Sequence, residues 1–246
     1  MSLFSHLGQY IMLMREVFRR PEKKSIYLKQ IVTEMDNLGV DSLWIVAIIS
    51  VFIGAVLAIQ MAFNIDSPLI PLYTIGFATR QSVVLEFSPT MVSLILAGKV
   101  GSRIASEIGT MRVTEQIDAL ETMGVNPATY LILPKIIATL LINPILIAIS
   151  MFLAIFGGWL AGITTGLVSS SDFIYGIRAF FSAYDVFYAF VKTVVFAFII
   201  TSVSGYQGFY THGGALEVGR ASTKAVVHSS IVIIIFNLIL TQILLA

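Results

Sequence analysis

Hydrophobic residues in this chain are gathered into five long runs, and polar residues occupy the shorter stretches between them. The runs cover residues 43–63, 82–104, 131–166, 184–207 and 226–245. A helix of about 20 mainly apolar residues is long enough to cross a bilayer, so the pattern predicts five transmembrane helices. The third run is long enough for two, but its only interruption is Asn143-Pro144. Such a short interruption leaves too little polar chain for a turn in water, which favours one long kinked or tilted helix.

Residues 1–30 precede the first run and have a different pattern, in which apolar residues recur at helical spacing. The apolar positions are Leu3, Phe4, Leu7, Ile11, Met14, Val17 and Phe18, and the basic ones among them are Arg15, Arg19 and Arg20. This pattern predicts a helix that lies in the membrane interface and ends at Pro21. A cytoplasmic helix packed on protein is the alternative.

Composition agrees with a membrane protein. Hydrophobic residues make up 57% of the 246 residues and charged ones 12%, about half the usual charged share of a globular protein. We therefore predict one all-α polytopic membrane domain over residues 1–246, without a separate soluble domain. The 15 basic and 14 acidic residues nearly cancel, so charge gives no reason to expect a nucleic-acid partner. The chain has no cysteine, and its histidines lack metal-ligand spacing, so we expect neither a disulfide nor a metal site.

The basic residues predict an orientation in the membrane. With the N-terminus inside, most of them fall on the cytoplasmic side: Arg15, Arg19, Arg20, Lys23, Lys24, Lys29, Lys99, Arg103, Arg112, Lys135, Arg220 and Lys224. The outer loops then hold only Arg80 and Arg178. The positive-inside rule favours this arrangement, with the C-terminus on the outer side.

A polar island at residues 98–127 interrupts the apolar pattern between the second and third runs. It interleaves charged and apolar side chains: Glu107, Arg112, Glu115, Asp118 and Glu121 alternate with Ile108, Met111, Ile117 and Leu120. The pattern predicts a cytoplasmic helix that offers carboxylates and a few apolar anchors to a groove on another protein. No nucleophile and base are paired in it, so we predict no catalytic residues.

Glu86 and Lys192 are ionisable residues inside predicted spans. Such groups are costly in apolar surroundings and are usually paired or face a water-filled cavity. Glu86 is followed by Ser88-Pro89, which should disturb the helix. We predict that Glu86 lines or gates a polar cavity and pairs with Lys192 or Arg80. A purely structural ion pair, or a Lys192 that snorkels to the interface, is the alternative.

Small residues and glycines mark close packing and a connector. Small residues stand four apart at two places, Ala154, Gly158, Gly162 and Gly166, and Ala97, Gly101 and Ala105. This spacing lets helices approach closely, within one subunit or between two. The glycines of residues 205–219 predict a flexible cytoplasmic connector, because the stretch lacks the Gly-Lys-Ser/Thr ending of a phosphate-binding loop.

Three motifs together resemble the MlaE (also called YrbE) family of ABC-transporter permeases. The first comprises LAGKVGS at residues 96–102 and ASEIGTMRVTEQIDAL at residues 105–120. The others are KTVVFAF at residues 192–198 and GRASTKAVVHSS at residues 219–230. The resemblance extends over nearly the whole chain, and its central motif is long and specific.

The resemblance implies a fold and a set of partners. Permeases of this family are homodimers in the bacterial inner membrane, and each subunit has an interfacial helix, five spans and a cytoplasmic coupling helix. A separate ATPase subunit binds ATP and Mg²⁺, so no cofactor is expected in this chain. MCE-domain proteins form a periplasmic conduit, and the family moves phospholipids or other hydrophobic molecules between the inner and outer membranes, which maintains outer-membrane lipid asymmetry.

The resemblance also assigns site residues. The coupling helix corresponds to residues 106–122, and its matching positions are Glu107, Gly109, Thr110, Met111, Thr114, Glu115, Gln116 and Asp118. The lipid cavity near the outer leaflet is expected to involve Leu57, Gln60, Met61, Asn64, Glu86 and Phe87. Where relatives often read RELGP, this chain has LEFSP at residues 85–89, so the family's arginine before the glutamate is missing.

Two other classes of function remain open on the residues alone. A stand-alone secondary transporter or channel would carry ion-coupling charges deep in several spans, and only Glu86 and Lys192 qualify. A membrane-embedded enzyme would need a catalytic constellation, which the sequence does not show.

Overall fold

The computed structural model describes residues 3–19, 24–65 and 69–245. The structure is 88% helical, and these residues contain no strand. This confirms the all-α polytopic fold. The residues Arg20, Pro21 and Lys23, which the sequence placed at the end of the interfacial helix, lie outside the described part of the chain.

Within the described residues, five helices are long and apolar enough to cross a membrane, as the sequence predicts. They are Tyr27–Asn64, Tyr73–Val113, Pro127–Thr164, Ala183–Phe209 and Ala215–Leu245. The third contains Asn143 and Pro144 without a break, which confirms one long helix rather than two. A helix of 38 residues is about 57 Å long at about 1.5 Å per residue. It therefore exceeds the ~30 Å hydrocarbon core, and part of it must lie outside.

The individual elements are shorter than these long helices, because π-helical stretches divide the first two. The helices are α1 Leu3–Val17, α2 Lys24–Met35, α3 Asp41–Asn64, α4 Tyr73–Ser82, α5 Val92–Leu96, α6 Ser102–Val113, α7 Gln116–Thr122, α8 Pro127–Thr164, α9 Ser170–Arg178, α10 Ala183–Phe209 and α11 Ala215–Leu245. The π-helical stretches are Asp36–Val40, Val83–Met91 and Ala97–Gly101. The second of them contains Glu86 and Pro89, so the predicted disturbance of the helix is present.

The sequence prediction differs from the structure mainly at the helix ends. The first long helix begins well before residue 43, and α10 runs to Phe209, so the predicted glycine-rich connector shrinks to residues 210–214. Gly208 lies inside α10, where an added Cβ would stand 2.8 Å from the Ala105 carbonyl oxygen. Glycine here permits close helix packing. Hydropathy marks only the apolar part of a helix, whereas its hydrogen-bonded backbone continues into polar sequence.

The chain forms two compact units. Unit 1 comprises Met1–Ser42, Leu94–Asn143 and Val195–Ile239, and unit 2 comprises Leu43–Ser93, Pro144–Val194 and Leu240–Ala246. Each unit is assembled from three separate parts of the sequence, so its packing depends on contacts between distant segments.

In unit 1, one face of α1 packs against the protein and another face is exposed. Leu13 and Val17 are buried, and the Tyr10 hydroxyl donates to Ser202 Oγ at 2.9 Å. Burial raises the pKa of the Tyr10 hydroxyl, and the hydrogen bond to Ser202 opposes this effect. Ile11 and Phe18 are exposed. An amphipathic helix with this second, apolar face is suited to lie in the membrane interface while it packs on the protein.

In unit 2, glycines bring α3 and α8 together. A Cβ at Gly54 would overlap the Ala154 carbonyl oxygen, and a Cβ at Gly157 would overlap the Val51 carbonyl oxygen. A buried chain of hydrogen bonds adds polar contacts, with Ser50 Oγ donating to Ser150 Oγ at 2.8 Å and Ser150 Oγ to Ser88 Oγ at 3.1 Å. The small residues around Ala154 therefore serve packing within the subunit.

Candidate functional site

The polar island does not form the single helix 106–122 that the sequence predicts. The chain breaks between α6 and α7, where Glu115 adopts a left-handed conformation with φ 61°. We call residues 110–124 the elbow. The Thr114 hydroxyl donates to the Thr110 carbonyl at 2.8 Å and accepts from Gln116 Nε2 at 3.0 Å. Side-chain bonds of this kind offer the backbone an alternative to helix, which explains the break.

The elbow exposes most of the residues that the resemblance assigns to coupling. Five of the exposed ones lie in the elbow, Thr110, Thr114, Glu115, Gln116 and Asp118, and Glu107, which is also exposed, lies just before it. Met111 is half-buried, whereas Ile108 and Ile117 are fully buried. The prediction that Ile108 and Ile117 anchor a partner is therefore wrong, because they pack inside the chain. Met123 is instead the large apolar side chain that this surface exposes, at 74%.

Arg112 fastens the elbow. Its Nη1 donates to Asp118 Oδ1 at 2.7 Å, and its guanidinium lies 5.9 Å from the centre of the Phe209 ring. Asp118 is thus held from within the chain. Among the described residues, the acidic side chains Glu115 and Glu121 form no salt bridge, so they are the carboxylates that the elbow presents outward.

Glu107 and Gly109 both make contacts within the chain, although the Glu107 side chain is 45% exposed. Glu107 Oε2 accepts from Lys135 Nζ at 2.9 Å, and the same ammonium donates to Glu34 Oε1 at 2.6 Å. Lys135 is 2% exposed. A Cβ at Gly109 would lie 3.3 Å from Thr211 Oγ1, so glycine is needed for close packing there.

Lys99 and Arg103, on the same helix face as Glu107, also make polar contacts with a distant part of the chain. Arg103 Nη1 donates to Asp41 Oδ2 at 2.9 Å and to the Asn37 carbonyl at 2.7 Å, and Lys99 donates to the Asp41 carbonyl. Residues 99, 103 and 107 stand four apart, which places them on one helix face. That spacing was readable in the sequence, but we interpreted Lys99 and Arg103 only as charges that set orientation. Their contacts join the stretch before the elbow to residues 37–41 of the first long helix.

Glu86 pairs with Lys192, as one of the two predicted pairings requires. Lys192 Nζ donates to Glu86 Oε1 at 2.7 Å, with the Lys192 side chain 0% exposed and the Glu86 side chain 40% exposed. The hydroxyl of Tyr188 donates to the same carboxylate oxygen at 3.2 Å, and that of Thr90 to Oε2 at 3.3 Å. A buried cation is thus bound to a carboxylate that still reaches the molecular surface.

Arg80 is not a partner of Glu86. Its guanidinium donates to the carbonyls of Ile177 at 2.7 Å, Ala179 at 3.0 Å and Phe180 at 3.3 Å, all at the end of α9. Cations stabilise the C-terminal end of a helix, where carbonyls lack partners. The sequence placed Arg80 in an outer loop because α4 is too polar to be part of a hydropathy run.

The structure divides the six residues assigned to the lipid cavity. Leu57 is buried and belongs, with Phe87, to one apolar cluster around Val83 and Ala154. Met61 packs against a different cluster of unit 2, whereas Gln60 and Asn64 are exposed. Their shared role in a cavity stays a prediction.

Comparison with known proteins agrees with the resemblance seen in the sequence. The profile of the family described as Permease MlaE matches residues 31–243. A probable ABC transporter permease protein of Rickettsia prowazekii is 39% identical over 220 residues, which cover 89% of this chain and 85% of the relative. The intermembrane phospholipid transport system permease protein MlaE of Haemophilus influenzae is 31% identical over 250 residues, 99% of this chain and 93% of the relative. A chloroplastic Arabidopsis thaliana protein, TRIGALACTOSYLDIACYLGLYCEROL 1, is 32% identical over 240 residues, 92% of this chain and 65% of the relative.

Proposed function

Because the chain belongs to the MlaE permease family, we propose that it is the membrane subunit of an ABC transporter for phospholipid or related hydrophobic molecules. It exchanges them between the inner membrane and a periplasmic carrier on the way to or from the outer membrane. The name of the relative from Haemophilus influenzae, an intermembrane phospholipid transport system permease, supports this substrate class. The five long apolar helices supply the membrane domain that such a subunit needs.

The observation that carries the proposal is the exposed elbow. Its carboxylates Glu115 and Glu121 and the apolar Met123 face outward, and the buried side chain of Ile117 fixes α7 to the protein. A rigidly mounted polar surface with one apolar side chain fits a groove on a partner protein. The partner that we propose is an ABC ATPase, which binds ATP and Mg²⁺ and pushes on the elbow when its two copies close.

An energy source is required by the chemistry of the cargo. An acyl chain gains about 0.8 kcal/mol per CH₂ buried in the bilayer, so extracting a two-chain lipid is too costly for a small passive cavity. The sequence has no phosphate-binding loop of its own. The free energy must therefore come from the partner ATPase, and this subunit carries out no catalysis.

The same proposal includes the assembly and its orientation. We place the elbow and the N-terminus in the cytoplasm, following the distribution of basic residues, and the C-terminus in the periplasm. Two copies of the chain form the membrane domain, and an MCE-domain protein receives or delivers lipid on the periplasmic side. With that orientation, Glu86 and Lys192 lie in the periplasmic half of the two spans that contain them.

Copurification from native membranes tests the proposed partner. We would compare the tagged chain with the double variant Glu115→Lys/Glu121→Lys, because neither carboxylate takes part in a described salt bridge. Asp118 is unsuitable for this purpose, since its reversal would also break the bond to Arg112. An ATPase should copurify with the original chain and be lost from the folded double variant.

A matched control changes the same charge elsewhere in unit 1. Glu16 and Asp36 are exposed carboxylates outside the elbow, so Glu16→Lys/Asp36→Lys should retain the ATPase. Loss in both variants would indicate a nonspecific charge effect and contradict docking at the elbow. If no ATPase copurifies with the original chain under mild extraction, and the purified chain alone moves lipid or ions in liposomes, a secondary transporter replaces the proposal.

A further inference from the structure

The first long helix, Tyr27–Asn64, contains a π-helical stretch at Asp36–Val40. A π-helical stretch interrupts the regular hydrogen bonds of an α-helix, and long helices bend at such places. The apolar run of the first span begins at residue 43. The irregular stretch therefore lies directly before the part of the helix that is suited to cross the membrane.

Contacts with other helices determine the geometry of this stretch. Its sequence, DNLGV, contains no proline that would fix a bend by its ring. Leu38 is buried, and Gly39 lies so close to α8 that an added Cβ would overlap the side chain of Ile142. The stretch is thus packed on α8, and its bend depends on what else binds it.

Two cationic side chains of the second long helix bind the stretch and the residue that follows it. Arg103 Nη1 donates to the Asn37 carbonyl at 2.7 Å and to Asp41 Oδ2 at 2.9 Å. Lys99 donates to the Asp41 carbonyl. Asn37 and Asp41 stand four residues apart, so a single guanidinium spans most of the irregular stretch. Lys99 itself lies in a π-helical stretch, Ala97–Gly101, so both helices are irregular where they meet.

Helix α6 holds the first long helix on both sides of the stretch. Before it, Glu34 and Glu107 of α6 share the ammonium of Lys135, at 2.6 and 2.9 Å. After it, Asp41 is bound to Arg103 of α6. Because the two attachments lie on either side of an irregular stretch, a shift of α6 against the first long helix changes the bend between them.

A displacement of the elbow reaches Arg103 directly, because the start of the elbow and Arg103 belong to the same continuous helix, α6. The Arg103 and Asp41 side chains are 42% and 58% exposed, so their ion pair contributes little to stability. Water can replace either partner, so this contact can break and re-form while the helices move. A buried ion pair loses much more when it is broken.

We propose that Arg103 is a positioning residue of the transporter, which passes movement of the elbow to the first span by changing the bend at Asp36–Val40. Asp41 is the acceptor through which it acts, and Lys99 supports the same contact. The inference rests on the proposed function, because an ATPase must supply the movement. It adds a route from the docking surface to one identified helix.

The amount of lipid moved per ATP hydrolysed tests this role. We would measure it for the transporter reconstituted with its ATPase, with the original chain, Arg103→Gln, Asp41→Asn and the double variant. Arg103→Gln should lower the ratio about fivefold, the low end of the usual coupling between two sites. The double variant should lose no more than Arg103→Gln alone, since both changes break the same contact. Losses that multiply would show two independent effects and overturn the role of the pair.

Other measurements separate positioning from a purely structural role. The melting temperature of the purified variants should change by less than about 4 °C, because the ion pair is exposed. The ATPase should still copurify and hydrolyse ATP, since the elbow itself is unchanged. A parallel fall of ATP hydrolysis and lipid movement, or a larger loss of stability, would contradict a positioning role.

Lys29→Gln is the matched control, because it removes one cationic charge from an exposed position of α2 outside the contact. It should keep the original ratio, and an equal loss in both variants would overturn the inference. Hydrogen exchange of the purified chain, without ATPase, examines the contact alone. Residues 36–41 should exchange faster in Arg103→Gln than in Lys29→Gln, and equal exchange would overturn the inference.

The same measurements distinguish this inference from the proposed function. If the original chain with its ATPase does not couple ATP hydrolysis to lipid movement, the proposed function is wrong and the role of Arg103 is wrong with it. If the original chain couples them and Arg103→Gln does so equally well, only the role of Arg103 is wrong.

Discussion

Among the side chains that the structure describes, each unit contains one buried lysine, and the two lysines are held in different ways. Lys135 in unit 1 is 2% exposed and Lys192 in unit 2 is 0% exposed. Lys135 is shared by two carboxylates, which belong to Glu34 in α2 and Glu107 in α6. Lys192 binds the carboxylate of Glu86 alone, and neutral groups complete its surroundings, among them the Leu85 carbonyl at 3.4 Å.

The difference shows what each cluster is suited to do. Two carboxylates on separate helices would repel each other without the ammonium between them, so Lys135 fastens α2 and α6 to α8. This fastening lies directly before the elbow, where the proposed ATPase would push. In exposure the two clusters are alike, since the Glu107 side chain is 45% exposed and the Glu86 side chain 40%, but Glu86 is attached to a single cation. It can hold an ion pair and still face a cavity.

The largest expected effect comes from removing the ammonium of unit 1. Lys135→Met leaves Glu34 and Glu107 without their cation, and because the Glu107 side chain is 45% exposed we expect the low end of the about 3–5 kcal/mol that removing one partner of a buried ion pair costs. Thermal unfolding of the purified chain in detergent should show a melting temperature lower by about 2–4 °C per kcal/mol. The triple variant Lys135→Met/Glu34→Gln/Glu107→Gln should recover most of the loss, since no charge remains without its partner. A triple variant no more stable than the single one would contradict the role of charge and indicate a role of Lys135 in packing.

The next effect, in unit 2, separates a structural ion pair from a functional one. Glu86→Gln keeps an oxygen acceptor but leaves the buried ammonium of Lys192 without a carboxylate, at a cost of about 1–3 kcal/mol. The double variant Glu86→Gln/Lys192→Met should regain stability, because the uncompensated cation is gone. Lipid transfer by the transporter reconstituted with its ATPase should stay impaired in both variants. If Glu86→Gln retains stability and transport, the predicted role in the cavity is wrong, and if the double variant regains both, the pair is structural.

The sequence predicted one of these two clusters because of where the charges stand. Glu86 and Lys192 lie inside apolar runs, where an ionisable group must find a partner, so their pairing could be expected. Lys135 stands at the start of a run, where a basic residue is also explained by membrane orientation, and its partner Glu34 lies in polar sequence. The five spans could also be predicted from hydropathy, because a helix that crosses the bilayer needs a minimum length of apolar sequence. The ion pairs that hold the polar regions together join residues that are far apart in the sequence. The spacing of residues within one segment therefore does not predict them.

The smallest expected effect concerns the backbone conformation of the elbow, which follows the ion pairs of Lys135. A residue other than glycine in the left-handed region costs roughly 1 kcal/mol, so Glu115→Gly should raise the stability of the purified chain slightly. Glu121→Gly is the matched control, because it removes the same charge within α7, where glycine costs about 1 kcal/mol relative to a good helix former. Opposite shifts of the two melting temperatures would support a defined left-handed turn at Glu115. Equal destabilisation would mean that the segment 106–122 is a continuous helix in the purified protein, as the sequence alone predicts. The fastening at Lys135 would then pass motion to a straight helix and not to an elbow.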